Sequence, residues 1–296
     1  MGLKALLPLI AIVTGALLPQ LAYFSDAIRP LLMALLFTTF INLNLHQVWQ
    51  NLRPQALWIA IANIGIALAW YALWTPLDVS LGRLYFMTAI APTAAAAPAV
   101  IHLLGRNIEY VTVSVILTNS LVALSLPLLT TWLFEGDRSA DPLPMLQSVA
   151  LLLTIPLLLA QLWKRLPQSW RSPINERGLS LYIWVILLTL ASATANDFIR
   201  QDNALSALSI AAIALHALII CVVNFSLGRL LGRWLHHGRL AREVSQSLGH
   251  KNTMFAVWFI LAFLNPSFAL GPMFYIVFQN LYNAYQIVTA AKEIPS

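Results

Sequence analysis

Apolar runs about twenty residues long recur along the chain, separated by short polar turns, and about twenty residues of helix match the hydrocarbon thickness of a bilayer. The pattern predicts ten spans, near Leu3–Phe24, Ile28–Leu45, Ala56–Leu77, Leu81–Leu104, Ile108–Leu133, Leu143–Trp163, Gly178–Asn196, Leu205–Leu231, Leu240–Leu264 and Ser267–Ala291. The first run follows a lone Lys4 as a signal peptide would. It is long enough to span and has no convincing small-x-small cleavage site, so it is read as the first helix.

The fourth span carries Pro92 and Pro98 at mid-depth, which remove helix hydrogen bonds and leave carbonyls free. In the ninth span, Gly249-His250-Lys251-Asn252 interrupts the apolar run. Five spans, the polar segment Glu135 to Asp141 and five more spans read as an internal duplication, residues 1–138 and 139–296. An odd number of helices per half inverts the second half, as in many secondary transporters, and breaks at matching positions of two such halves point to a substrate site. The expected architecture is therefore an all-α membrane protein of ten transmembrane helices in two inverted five-helix repeats, with the fourth and ninth discontinuous.

Charge sets the orientation, because Lys and Arg are retained on the cytoplasmic side. Lys4, Arg53, Arg106, Lys164, Arg165, Arg171, Arg177, Arg229, Arg233, Arg239, Arg242 and Lys292 fall on one side. Arg29, Arg83, Arg138 and Arg200 fall on the other, among Asp26, Asp78, Glu135, Asp137, Asp141, Asp197 and Asp202. Both termini are expected in the cytoplasm of a multi-pass cell-membrane protein of the bacterial inner-membrane type. The same retention accounts for the net charge of +6, so the basic balance is not a nucleic-acid footprint.

With 59% hydrophobic and only 9% charged residues, a lysine in the middle of a span is the outstanding chemical feature. A charge at that depth is costly and usually faces a bundle interior or wet cavity, so Lys251 marks a binding site or pathway. The alternative is that its long stem snorkels to an interface. Gly249 and Asn252 favour local unwinding, which would expose peptide groups beside the amine. Thr93, Asn119, Gln279 and Asn280 are candidate site residues beside the breaks, together with His250 and Asn252. Ser114, Thr118, Tyr282, Asn283 and Gln286 are read as interhelical hydrogen-bonding groups, Thr38, Thr39 and Asn42 as weaker cavity-wall candidates, and His216 and Asn224 as packing residues. The single cysteine, Cys221, rules out an intramolecular disulfide or a thiolate cluster and is read as a small apolar filler. No phosphate-cradling loop or zinc motif is present, so neither a cofactor nor a metal is expected.

The run Gly249-His250-Lys251-Asn252-Thr253, the later Phe278-Gln279-Asn280 and the stretch Ala91 to Asn107 resemble the bile acid:sodium symporter (BASS) family over nearly the whole chain. The resemblance implies a panel domain of spans 1, 2, 6 and 7, a core domain of spans 3, 4, 5, 8, 9 and 10, and two broken helices crossing within the core. Sodium-coupled members of the family read roughly Glu-Val-Gly-x-Gln-Asn at the ninth-span break. Here Ser247 stands at the glutamate position and Lys251 at the glutamine position, while the family's fourth-span Ser-Asn pair falls near Ala97 and Pro98. An ammonium repels a cation, so the expectation is that Lys251 replaces a sodium ion. The function implied is secondary active transport of a small or medium organic carboxylate by alternating access, sodium-independent, with proton coupling, exchange or uniport left open. The expected partners are the organic anion, the lipid bilayer and protons, with no nucleic acid and no obligate protein partner. The alternative is a transport-dead receptor, or a membrane enzyme using His250 and Lys251, on the same fold. Arsenite export, which a related group performs with a fourth-span cysteine, does not fit the position of Cys221.

Overall fold

A computed structural model describes residues 7–41, 54–134, 141–167, 176–202 and 205–293. Lys4, Asn42, Arg53, Arg171 and the expected junction 135–140 lie outside the described residues. The helices are α1 Leu7–Leu17, α2 Ile28–Phe40, α3 Pro54–Trp74, α4 Val79–Ile90, α5 Ala97–Leu103, α6 Ile108–Leu133, α7 Pro142–Arg165, α8 Glu176–Asp202, α9 Ala207–Leu235, α10 Ala241–Gly249, α11 Thr253–Phe263 and α12 Leu270–Glu293. The starts of α4, α6, α7 and α9 follow polar caps placed between apolar runs. Asp78, Asn107, Asp141 and Ser206 accept the N–H groups of Leu81, Tyr110, Leu143 and Ser209 at 3.0, 3.0, 3.0 and 3.1 Å.

The chain is an all-α membrane protein. Six helical stretches among the described residues are long and apolar enough to cross a bilayer, and Leu7–Leu17, Val79–Ile90 and Thr253–Phe263 are shorter apolar helices. The expected first span is corrected: α1 stops at Leu17, and Pro19–Ala27 form a 3-10 segment that leads into α2. Pro19 causes the stop, because the residue before a proline is pushed out of the helical region, and Leu18 lies at φ −117°, ψ 63°. The fourth and ninth spans are each two half-helices, α4 with α5 and α10 with α11, as the prolines and the Gly249–Asn252 run predicted. Gly105, at φ 64°, ends α5 by supplying the left-handed residue that the cap requires.

Exposure separates the periphery from the centre. Leu151, Leu158 and Leu162 on α7, with Leu215, Val222 and Leu230 on α9, point away from the protein, as lipid-facing residues do. On α4 and α11, by contrast, the runs 84–90 and 253–260 are buried throughout. Half-helix α10 departs from the strongly apolar segment expected of the ninth span. It carries Arg242, Glu243, Ser245, Gln246 and Ser247, and residues 243–249 are buried all the same.

Two devices hold α1 and α10. α1 lies along α8, where Ser192 Oγ and Asn196 Nδ2 donate to the Ile12 and Ala16 carbonyls at 2.8 and 2.7 Å. α10 folds back on α9 across a turn at residues 236–240, and Gly228 and Gly232 let the two backbones touch. A Cβ on Gly228 would come within 2.8 Å of Ser245 Cα and of the Val244 carbonyl oxygen. This spacing of small residues is a close-packing device of membrane helices.

Gly228→Ala should therefore destabilise the protein by about 1–3 kcal/mol through overpacking. Gly65→Ala, where an added Cβ meets nothing within 4 Å, should be neutral or slightly stabilising. Thermal unfolding of the two variants in detergent checks the difference.

Candidate functional site

The site begins with peptide groups that the two breaks leave unpaired. Pro92 has no N–H to donate, and Ala91 before it is extended at φ −46°, ψ 134°, so α4 ends at Ile90. In the ninth span, His250, at φ −87°, ψ 96°, leaves the helix. The two unwound strands run antiparallel and form a single β-bridge, Thr93 to Lys251. The Ala94 N–H donates to the His250 carbonyl at 2.7 Å, and the Asn252 N–H donates to the Pro92 carbonyl at 2.7 Å. Each break thus satisfies part of the other, a requirement that burial imposes.

Neighbouring helices serve the outward-facing peptide groups. Thr93 N–H donates to Thr118 Oγ1 at 3.0 Å, and its carbonyl accepts from Asn119 Nδ2 at 2.9 Å, both from α6. Gln279 of α12 grips Lys251 on both sides: its Oε1 accepts the Lys251 N–H at 2.8 Å and its Nε2 donates to the Lys251 carbonyl at 3.2 Å. The Thr93 hydroxyl donates to the Ser247 carbonyl. At the last carbonyl of each half-helix an asparagine from the preceding span is engaged. Asn63 Nδ2 of α3 donates to Ile90 O at 2.8 Å. Tyr275 Oη donates to Gly249 O at 2.7 Å and accepts from Asn224 Nδ2 of α9 at 3.1 Å.

Lys251 stands at the centre of this arrangement and is 1% exposed. Its ammonium does not snorkel: Nζ donates to Asn63 Oδ1, so that one amide joins the amine to the end of α4. Cys221 of α9 is buried within the main apolar core. The sole buried carboxylate among the described residues, Glu243, sits eight positions earlier, about 12 Å along a helix axis, and accepts the Asn107 N–H at 3.1 Å. The first turn of α11, opened by Asn252 whose Oδ1 accepts the Phe255 N–H, adds the positive end of a helix dipole next to the amine. Amine and dipole together favour a negative charge.

Of the candidates named from sequence, Lys251, Thr93, Asn119, Gln279, His250 and Asn252 converge on the crossing. His250 contributes its backbone, and its buried Nδ1 has no hydrogen-bond partner among the described residues. Asn280 does not join them: its Nδ2 donates to Ile276 of its own helix at 2.7 Å. Ser247 offers a carbonyl to Thr93 and has an unpartnered hydroxyl, Ala97 is buried among Ile101, Leu104 and Val111, and Pro98 is half-buried. Neither Ala97 nor Pro98 has a side-chain oxygen to offer a cation. Asn63, Tyr275 and Gln246 were not anticipated. Asn63 was detectable as the lone amide side chain within the run Trp58 to Trp74, and Gln246 lies one turn before His250.

His216 stacks on Tyr85 and bonds Ala212 O, and Thr38 accepts from Ser180 Oγ at 2.8 Å. A cavity of 480 Å³ between α2 and α7, lined by Met33, Phe37, Ile155, Pro156 and Trp163, shares no residue with the crossing. No protein-family model matches the chain, and no curated protein does.

Leaving a buried charged group without its hydrogen-bond partner costs about 1.5–3 kcal/mol or more, whereas replacing both partners by apolar groups restores most of it. Asn63→Leu should therefore unfold at markedly lower temperature than the wild type, and Asn63→Leu with Lys251→Met should recover most of the loss. A double-mutant cycle by thermal unfolding should give a coupling of about 1–3 kcal/mol.

Proposed function

We propose that this chain is a secondary transporter of a small or medium organic anion, with the Lys251 ammonium in the role that sodium-coupled members of the family it resembles give to sodium. The observation that carries the reading is a buried cation at the crossing of two broken membrane helices, bonded by an amide, with no carboxylate beside it among the described residues. An organic carboxylate would supply the missing counter-charge. It would be held by Lys251 with Asn252 and the amino end of α11, and its binding would be felt through Asn63, Thr93, Asn119 and Gln279.

The inverted repeat is part of the same proposal. Thr93 and Lys251, Asn119 and Gln279, Asn63 and Asn224, and Ile90 and Gly249 take corresponding places, Asn63 bonding Ile90 O directly and Asn224 reaching Gly249 O through Tyr275, and each pair is separated by about 160 residues, as duplicated halves require. On this reading α3 to α6 and α9 to α12 form the moving core, and α1, α2, α7 and α8 form the panel of a bile acid:sodium symporter fold. Both termini would lie in the cytoplasm, and the membrane would be a bacterial inner membrane. Sodium coupling is disfavoured by the ligand set, since Ser247, Ala97 and Pro98 stand where the resembling family keeps oxygen ligands and Lys251 adds a positive charge. Proton coupling through Lys251 or anion exchange then drives the cycle.

Uptake into proteoliposomes should change by no more than about two-fold when sodium is replaced by potassium, because no cation site is used. A carboxylate found by thermal stabilisation of the purified protein should lose that effect in Lys251→Met, and its flux should fall at least about ten-fold, the loss of a charge-assisted bond. Strict sodium dependence, or undiminished flux in the variant, would refute the proposal.

A further inference from the structure

Half-helix α10 presents three different faces. Ser245 and Gly249 turn to α9, where Ser245 Oγ donates to Phe225 O at 2.7 Å and Gly249 lies under the Phe225 ring. Val244 and Leu248 pack on Ile59 and Tyr110. The remaining positions, Glu243, Gln246 and Ser247, with His250 just past the helix end, fall within an arc of roughly 100° at the helical repeat.

All four residues on this last arc are buried, at 3%, 0%, 2% and 6% exposure. Every one of them carries a side-chain atom without a hydrogen-bond partner among the described residues: Glu243 Oε2, Gln246 Oε1, Ser247 Oγ and His250 Nδ1. Asn283 of α12, whose Oδ1 accepts from Gln246 Nε2 at 2.9 Å, adds an unpartnered Nδ2 on the facing side. Buried polar atoms are rarely left unbonded, and a row of them on one arc, beside two faces whose groups are paired or apolar, marks a place where small polar molecules are held.

The chemistry of the row selects its occupant. A cation would need oxygens throughout and an anion would need donors throughout. Here the carboxylate and amide oxygens accept, the Asn283 amide donates, and the hydroxyl and imidazole do either. Water is the ligand that matches such a mixture. The row also connects two places. At one end the other oxygen of Glu243 accepts the N–H of Asn107, an exposed residue next to the exposed Arg106. At the other end, about 10 Å along the helix axis, His250 adjoins Lys251 at the crossing.

We infer that this face of α10 holds a file of water molecules running from the surface at Arg106 and Asn107 to the crossing, a one-sided aqueous route to Lys251. Its use, to exchange protons or release an anion on that side, rests on the transporter reading. Its existence does not.

The test needs no substrate. In protein lacking the native cysteine by Cys221→Ser and embedded in lipid nanodiscs, Ser247→Cys and Ser245→Cys are exposed to silver ions, which pass where water passes. The cysteine left unreacted is then alkylated after denaturation. Both positions are buried on the same half-helix, so burial alone predicts equal rates. The water file predicts blocking at least about ten-fold faster at position 247, since thiol reactivity follows access. Gln246→Leu should slow the fast reaction several-fold. Equal rates at the two positions overturn the inference. For wild-type protein, X-ray radiolysis of bound water provides a measurement independent of any variant. His250 should oxidise at least about ten-fold faster than Phe86, which is also buried, because bound water makes the radicals where it sits. An unoxidised His250 overturns the inference as well.

Discussion

Unwound backbone inside a bilayer is tolerated only if every peptide group finds a partner, and the crossing of the two broken helices is organised around that constraint. Two extended segments, at residues 91–94 and 250–252, satisfy each other through a reciprocal pair of backbone bonds. Their other edges are closed by amide and hydroxyl side chains from α6 and α12. Thr118, Asn119 and Gln279 enter the centre of the molecule to meet that requirement. The outcome is a short irregular segment held as firmly as a helix, with a charged side chain projecting from it.

Placing Lys251 there costs desolvation energy, and the structure offsets only part of it. Asn63 accepts one of the three ammonium donors and, by bonding Ile90, joins the amine to the end of α4. On the transport proposal, an incoming carboxylate would bring what the protein withholds, and a change of partner at Nζ would alter the bonds at the end of α4.

The apolar runs and their breaks were legible in the sequence because each is local. Hydropathy over about twenty residues locates a span, and Pro92 and the Gly249 to Asn252 run interrupt it by chemistry confined to one or two peptide units. Thr93, Asn119 and Gln279 could be placed near the breaks by their depth alone. Asn63 could not, since its partners lie 27 and 188 residues away and nothing in its own segment marks them. Asn280 failed for a related reason. It adjoins Gln279, but successive helical residues point about 100° apart, and only one of the two faces the crossing. The end of α1 was misjudged because hydropathy continues through Leu18 and Pro19 while the backbone does not. The buried polar face of α10 was hidden because burial by neighbouring protein, unlike burial by lipid, leaves no apolar signature.

The glycine seam between α9 and α10 bears on how the protein is made. A half-helix bearing Arg242, Glu243 and Gln246 would not partition into hydrocarbon alone, since charged residues at depth are strongly disfavoured during insertion. Gly228 and Gly232 seat it against a long apolar helix synthesised just before it. The seam thus gives α10 a protein surface in place of lipid, and the amine that Asn63 receives lies 188 positions further along the chain.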